Sequence, residues 1–215
     1  MTELIDTSVR IRLQAHDLFM QYGLKSVSMD DIANKLGMSK KTIYHYFADK
    51  DQLVDEVVGT VISQNQQVCN FDRSRAENAV HEIFLAIDMV MEMFRSMNPS
   101  LVFDMQKYYP RAFQKFLHHK NEYLYGVIRD NILRGIKEEI YRPHLNVEVI
   151  TRFRVESIML PFNPDFHTKV KANLAEIEEE LTLHFLFGLV SQKGYKLILK
   201  YQQERINKHL EDATN

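Results

Sequence analysis

Apolar residues recur three and four positions apart along nearly the whole chain, the period of a helix with one buried face. Ile11, Ala15, Leu18, Phe19 and Tyr22 form the first such stripe, and Gly23 follows as a stop. Ser28-Met29-Asp30-Asp31 has the form of a capping box, with two acids in the favourable first turn. It opens a short helix that turns Ile32, Ala33 and Leu36 inward and stops at Gly37. Another short helix is predicted from Ser39 to about Phe47. Asp49 then caps a longer one, Leu53 to about Gln67, with Leu53, Val57, Val58, Val61 and Ile62 as its stripe. Asn70 to Arg73 is polar and is read as the main break. Beyond it the pattern predicts helices over 74–97, up to Tyr108, from Arg111 to Glu139, 146–160, 170–191 and 194–210. Prolines 99, 110, 143, 161 and 164 punctuate them. Alternating Val/Ile/Thr runs and Asn-Gly or Asp-Gly hairpin signals are absent, so the fold class is all-α.

Composition narrows the classes. The 215 residues suffice for one large or two small domains, and 45% are hydrophobic against 26% charged, the balance of a globular chain. A net charge of −2 excludes a uniformly basic coat but leaves room for a local basic patch. Residues 1–50 hold 7 basic and 6 acidic side chains, and the remainder 20 and 23. Only Phe19 and Phe47 of the 13 phenylalanines precede residue 51, so a small neutral-to-basic head joins a Phe- and Met-rich body. The single cysteine, Cys69, cannot form an internal disulfide, which fits a reducing cytoplasm. No apolar run approaches the roughly 18 residues a membrane span needs, and the early acids at Glu3 and Asp6 argue against a signal peptide.

Chemistry concentrates around Ala33-x3-Gly37-x5-Ile43. A helix-turn-helix needs a small residue where its helices cross and a glycine able to take positive φ in the turn. It also needs an apolar residue on the second helix that points back at the first. At about 100° per residue, Ile43 and Phe47 point together toward the core. Lys41 and His45 fall opposite them, with Lys40/Tyr44 and Thr42/Tyr46 on the flanks. This face of Lys, Thr, Tyr and His offers donors to phosphates and bases, with no acid among them. A solvated surface helix is the plainer alternative, but it leaves two tyrosines exposed without a partner.

Phe19-x3-Gly23, Ser28-x3-Ile32-Ala33, Leu36-Gly37-Met38-Ser39 and Thr42-Ile43-Tyr44-His45-Tyr46-Phe47-x2-Lys50-x2-Leu53 resemble the DNA-binding head of TetR-family bacterial transcriptional regulators. The resemblance covers about residues 8–55; the body agrees only in length, helicity and order. It implies that Ser39, Lys40, Lys41 and Tyr44 approach base edges, and that Ser28, Thr42, Tyr46 and Lys50 hold phosphates. The resemblance also places His45 beside the groove. Ser28, Ser39 and Lys50 sit at helix N-termini, where backbone N–H groups already favour a phosphate, although Ser28 and Ser39 also serve as plain N-caps. Gln14 departs from the small residue common at its position, which touches head packing rather than DNA contact.

Other candidates are weaker. His119 and Glu122 stand at i,i+3 like a pair of metal ligands, but spacing supplies no third ligand, and a solvated face is the simpler reading. Cys69 reads as a stray apolar residue sooner than a redox thiol. No G-x-S-x-G, H-E-x-x-H, paired-acid or clustered-glycine pattern points to catalysis or to a nucleotide cofactor, and no cofactor is expected. Leu181 to Val190 is apolar nearly all round and calls for burial on every side, which in so small a chain suggests a partner subunit.

The division expected is 1–50 for the helix-turn-helix head, a linking helix over about 50–69, and 70–215 for ligand binding and dimerisation. The resemblance implies a ligand-responsive regulator, usually a repressor, that binds palindromic operator DNA as a homodimer in the cytoplasm. Its effector is expected to be small and apolar or aromatic. The Phe and Met surplus, together with the resemblance, places the pocket among Phe84, Met91, Phe94, Phe103, Phe116, Tyr123 and Phe153. A helical DNA-binding organiser without effector, and an all-α binding protein whose head has lost DNA affinity, are the other readings.

Overall fold

Every named element in the computed structural model, which describes residues 6–212, is helical. The helices are α1 Thr7–Tyr22, α2 Met29–Leu36, α3 Lys40–Tyr46, α4 Lys50–Arg75, α5 Ala79–Arg95, α6 Leu101–Tyr108 and α7 Pro110–His118. A π-helical turn, His119–Leu124, leads into α8 Tyr125–Lys137, α9 Val147–Ser157 and a 3₁₀ turn at Leu160–Phe162. The chain then runs through α10 Pro164–Lys169, α11 Leu174–Leu189 and α12 Gln192–Asp212. Among the described residues no helix is long and apolar enough to cross a membrane.

The chain forms two units. The first gathers Met1–Gln67 and Ser96–His119; the second gathers Val68–Arg95 and Lys120–Asn215. This differs from a division near residue 70, because α6 and α7 complete the core of the first unit. Met105, Tyr109 and Ala112 are buried with Ile11, Phe19, Ile32, Ile43, Phe47 and Leu53. Gly23 ends α1 at φ +83°, and an added Cβ there would lie 2.9 Å from the Ser100 hydroxyl, so glycine admits the α6 end of the chain. The Asn98 amide donates to the Met20 carbonyl at 2.7 Å beside it. Gln14 is half-buried on α1.

In the second unit Val80, Phe84, Ile87, Ile132, Tyr141, Leu186, Leu189 and Ile198 form the core. Tyr141 is fully enclosed; its hydroxyl donates to Asn131 Oδ1 at 3.0 Å and lies 3.2 Å from the Ala79 carbonyl. Between α9 and α11 the Arg154 guanidinium donates to Glu178 Oε1, to the Thr182 hydroxyl at 2.7 Å and to the Ser157 hydroxyl at 3.1 Å. All four residues are buried.

Three helix boundaries differ from the sequence pattern. The polar stretch 70–73 stays helical in α4, where Asp72 turns inward and pairs with Arg75 at 2.8 Å. The break falls at 76–78 instead, because the Asn78 carboxamide accepts the His81 amide at 2.9 Å and starts α5 there. The helix read as continuous from 111 to 139 is interrupted by the π turn. His119 and Lys120, which open that turn, are both buried. The region around Pro164, read only as a terminator, begins α10, since proline fits a first helical turn.

Candidate nucleic-acid interface

Local sequence builds the interface from α2, α3 and the start of α4. Ser28 and Asp31 close a reciprocal capping box: the Asp31 amide donates to the Ser28 hydroxyl at 3.1 Å, and the Ser28 amide donates to Asp31 Oδ2 at 2.8 Å. The hydrogen bonds from Ser28 hold the Asp31 carboxyl below its usual pKa. Gly37 takes the left-handed conformation at φ +63°, turning the chain out of α2. Ser39 caps α3 through the Thr42 amide at 3.1 Å, and the two hydroxyls lie 2.8 Å apart. Asp49 caps α4 through the Gln52 amide at 2.7 Å.

On α3, Ile43 and the following Phe47 are buried, whereas Lys41, Tyr44, His45 and Tyr46 are exposed and Thr42 is half-buried. The predicted division of the helix into inward and outward faces holds. His45 and Tyr46 meet edge to face, with ring centroids 5.1 Å apart. Such a helix, seven residues long with a cationic and aromatic outer face, has the size and chemistry to enter a major groove.

Two placements differ from the sequence reading. No acid lies on α3 itself, but α2 supplies one: Asp30 pairs with Lys40 at 2.9 Å across the turn. This pairing raises the Lys40 pKa. Sequence reasoning missed it, although an acid in the first turn of the preceding helix was the available signal. Lys50 is the larger correction. Its ammonium group donates to the Leu24 carbonyl at 2.5 Å and lies 5.9 Å from the Phe19 ring centroid and 5.5 Å from that of Tyr109. Desolvation there lowers its pKa. It ties the α1–α2 loop to α4 instead of reaching outward for a phosphate. Accordingly Lys50→Met is expected to lower the thermal stability of the first unit while leaving the salt dependence of DNA binding unchanged. Calorimetry and a salt titration check the two halves; a salt slope smaller by about 1 would restore the phosphate role.

The residues proposed for an effector pocket do not share one environment. Phe103 and Phe116 belong to the first unit, the other five to the second. Phe103 is 46% and Phe153 57% exposed, so neither lines an interior, and both assignments are corrected. Phe116 stacks near Phe113 against the first core. Phe84 lies in the second core beside Tyr201. Phe94 meets Phe162 edge to face at 5.3 Å, and Met91 is half-buried against the same core. The Tyr123 hydroxyl donates to Asn70 at 3.2 Å.

The remaining chemical candidates have ordinary placements. Both His119 ring nitrogens lie within hydrogen-bond range of amide side chains, Asn65 at 3.1 Å and Gln66 at 3.3 Å. Burial lowers the His119 pKa, which favours neutral imidazole. Burial pushes the Cys69 thiol up to about 11, so little of it is nucleophilic thiolate at neutral pH. Among the described residues no three His, Cys, Asp or Glu side chains gather as metal ligands would.

Residues 11–57 match the family model for bacterial regulatory proteins of the tetR family. An uncharacterised HTH-type transcriptional regulator of Bacillus subtilis, YvaF, is 26% identical over 86% of this chain and 96% of its own length. The HTH-type transcriptional repressor KstR2 of Mycobacterium tuberculosis is 22% identical over 63% of this chain and 70% of its own. Its solved structure, described as that of a ketosteroid transcriptional regulator, is 18% identical and superimposes with a TM-score of 0.62 over 88% of this chain and 98% of that one. A TetR-family regulator of Agrobacterium tumefaciens gives 0.71 at 14% identity over 86% and 97%. With its capped two-helix turn and outward α3, the segment 11–57 is similar to the bacterial regulatory proteins of the tetR family, and the chain shares the helical fold of the solved regulators.

Proposed function

We propose that the protein is a ligand-responsive repressor that docks α3 of each of two chains into successive major grooves of an inverted-repeat operator. The observation that carries this reading is the face of α3: Lys41, Tyr44, His45 and Tyr46 stand outward while Ile43 fixes the helix to the core. Ser39 and Lys40 flank the same helix end. Ser28 and Thr42 offer hydroxyls to the sugar-phosphate backbone, an arrangement that sets register but reads no sequence. The protein acts in the cytoplasm, on double-stranded DNA, without catalysing a reaction.

Dimerisation uses α9 and α11, with α12 alongside. Val149 and Phe153 on α9, Phe187 on α11 and Tyr195, Leu199 and Ile206 on α12 are large apolar side chains left exposed on a single chain. Gly188 has open space where a side chain would project, which suits close approach of a second backbone. A two-fold pair of chains requires a two-fold operator.

The effector is a small, largely apolar molecule held in the second unit near Met91 and Phe94, and its binding shifts α4, which starts at the head and ends at Arg75. The soft, partly buried side chains there support the reading, as does a relative described as a ketosteroid regulator. Coupling of about 1–3 kcal/mol suffices if the effector binds the DNA-incompetent shape more tightly. Phe94→Trp is expected to leave operator affinity intact and weaken release by effector. Retained release across several such enlargements places the effector elsewhere.

The test of the whole reading is selection of duplexes from a random pool by the purified protein. Enrichment of an inverted repeat is expected. A pool that stays random contradicts a sequence-reading role.

A further inference from the structure

Lys25, on the loop between α1 and α2, and Lys107, on α6, come together around one aromatic ring. Their ammonium nitrogens lie 5.1 and 5.4 Å from the Tyr108 ring centroid. Lys107 also lies 5.5 Å from the Phe103 ring. Both lysines are exposed, and neither forms a carboxylate ion pair among the described residues. Asp104, one turn earlier on α6, does not neutralise them. It is buried, and its Oδ2 accepts the Lys25 backbone amide at 3.0 Å and the Ser100 hydroxyl at 3.4 Å. Hydrogen bonds from Lys25 and then Lys107, with their positive charges adding to them, hold the Tyr108 phenol below its usual pKa.

The position of this pair gives it a use. Leu24, next to Lys25, receives the Lys50 ammonium group at the start of α4. Tyr109, next to Tyr108, covers the same ammonium group at 5.5 Å from its ring centroid. Ser28, which heads α2, is three residues beyond Lys25. The end of α6 therefore lies beside the loop that leads to Ser28, one of the two hydroxyls assigned to the sugar-phosphate backbone in the proposed docking. Two like charges held together without a counter-ion repel each other, and the Tyr108 ring offsets only part of that repulsion. An anion between them removes the rest.

We infer that Lys25 and Lys107 form a second clamp for the DNA sugar-phosphate backbone, flanking the helix-turn-helix and supplied in part by α6. The contact reads charge and not sequence. It rests on the DNA-binding reading above, and it extends the interface beyond residues 11–57. The consequence is that α6 touches DNA directly, so a movement of α6 alone changes affinity without any change in α3.

The test is fluorescence anisotropy of a labelled mixed-sequence duplex, titrated over a range of salt with the full-length protein. Lys107→Gln and Lys25→Gln are each expected to weaken binding severalfold at low salt and to reduce the salt slope by about 1 per chain. Lys107→Arg retains both affinity and slope. Lys171→Gln, an exposed change in the second unit, serves as the control and behaves as the unaltered protein. Circular dichroism melting of each variant shows that the fold is retained. If the unaltered protein binds the duplex and Lys107→Gln binds with the same affinity and slope, the clamp is wrong and the helix-turn-helix reading stands. If the unaltered protein binds no duplex at any salt, both fall together.

Discussion

Glu178→Ala is expected to destabilise the second unit by about 3–5 kcal/mol, enough to remove much of a typical domain's stability. The guanidinium of Arg154 would remain, enclosed between α9 and α11, with the Thr182 and Ser157 hydroxyls at 2.7 and 3.1 Å and the Phe185 ring centroid at 5.8 Å, but no counter-charge. A buried charge that has lost its counter-charge cannot be rehydrated without opening the helix pair. Glu178 itself is incompletely satisfied: Oε1 faces Arg154 and Thr182, while Oε2 is buried without a hydrogen-bond partner among the described residues. The pair is therefore costly to break and of little net benefit intact. Arg154→Met combined with Glu178→Leu is expected to recover most of the loss, because it removes both charges while keeping volume. Denaturant melts of the two variants distinguish this account from one in which the pair is solvated. In the solvated case Glu178→Ala changes stability by less than about 1 kcal/mol.

Tyr44→Ala and Lys41→Ala are each expected to cost about 1–3 kcal/mol of discrimination at particular base pairs of a half-site. Because each chain of a dimer reads one half-site, the loss on the full operator is about twice that figure. Tyr44 and Lys41 are exposed on α3 and carry none of its packing, so their removal leaves the helix in place. Ile43 alone on this helix is fully buried. Affinity for mixed-sequence duplex changes much less than operator affinity, since phosphate contacts persist. Competition binding with operators changed one base pair at a time measures the effect. Unaltered discrimination in both variants would place sequence reading elsewhere than α3. Asp30→Asn should act in the opposite sense and tighten binding a few fold, because it frees Lys40 and removes an acid from the docking face.

Short-range chemistry made the head legible in the sequence. The capping box of Ser28 and Asp31, the left-handed Gly37 and the caps at Ser39 and Asp49 each involve residues a few positions apart. The apolar period at Ile43 and Phe47 then settled which face of α3 is exposed. What escaped depends on contacts between distant residues. The Asn98 amide meets the Met20 carbonyl across most of the first hundred residues, and through it α6 joins the head. Lys50 has the sequence position of a phosphate ligand, but the Leu24 carbonyl and the Tyr109 ring hold it inside. A period of 3.6 carried across residues 119–124 hides the π turn there. Phe103 and Phe153 entered the pocket by residue type and by the family resemblance, and neither records which face of a helix is covered.

The central claim is that two α3 helices, related by a two-fold axis, read an inverted repeat. Sedimentation equilibrium of the protein with the duplex enriched from the random pool tests it most directly, run beside a duplex in which one half-site is scrambled. The account predicts two chains per intact duplex, with a large loss of affinity when one half-site is destroyed. A single chain bound with equal affinity to both duplexes would contradict it.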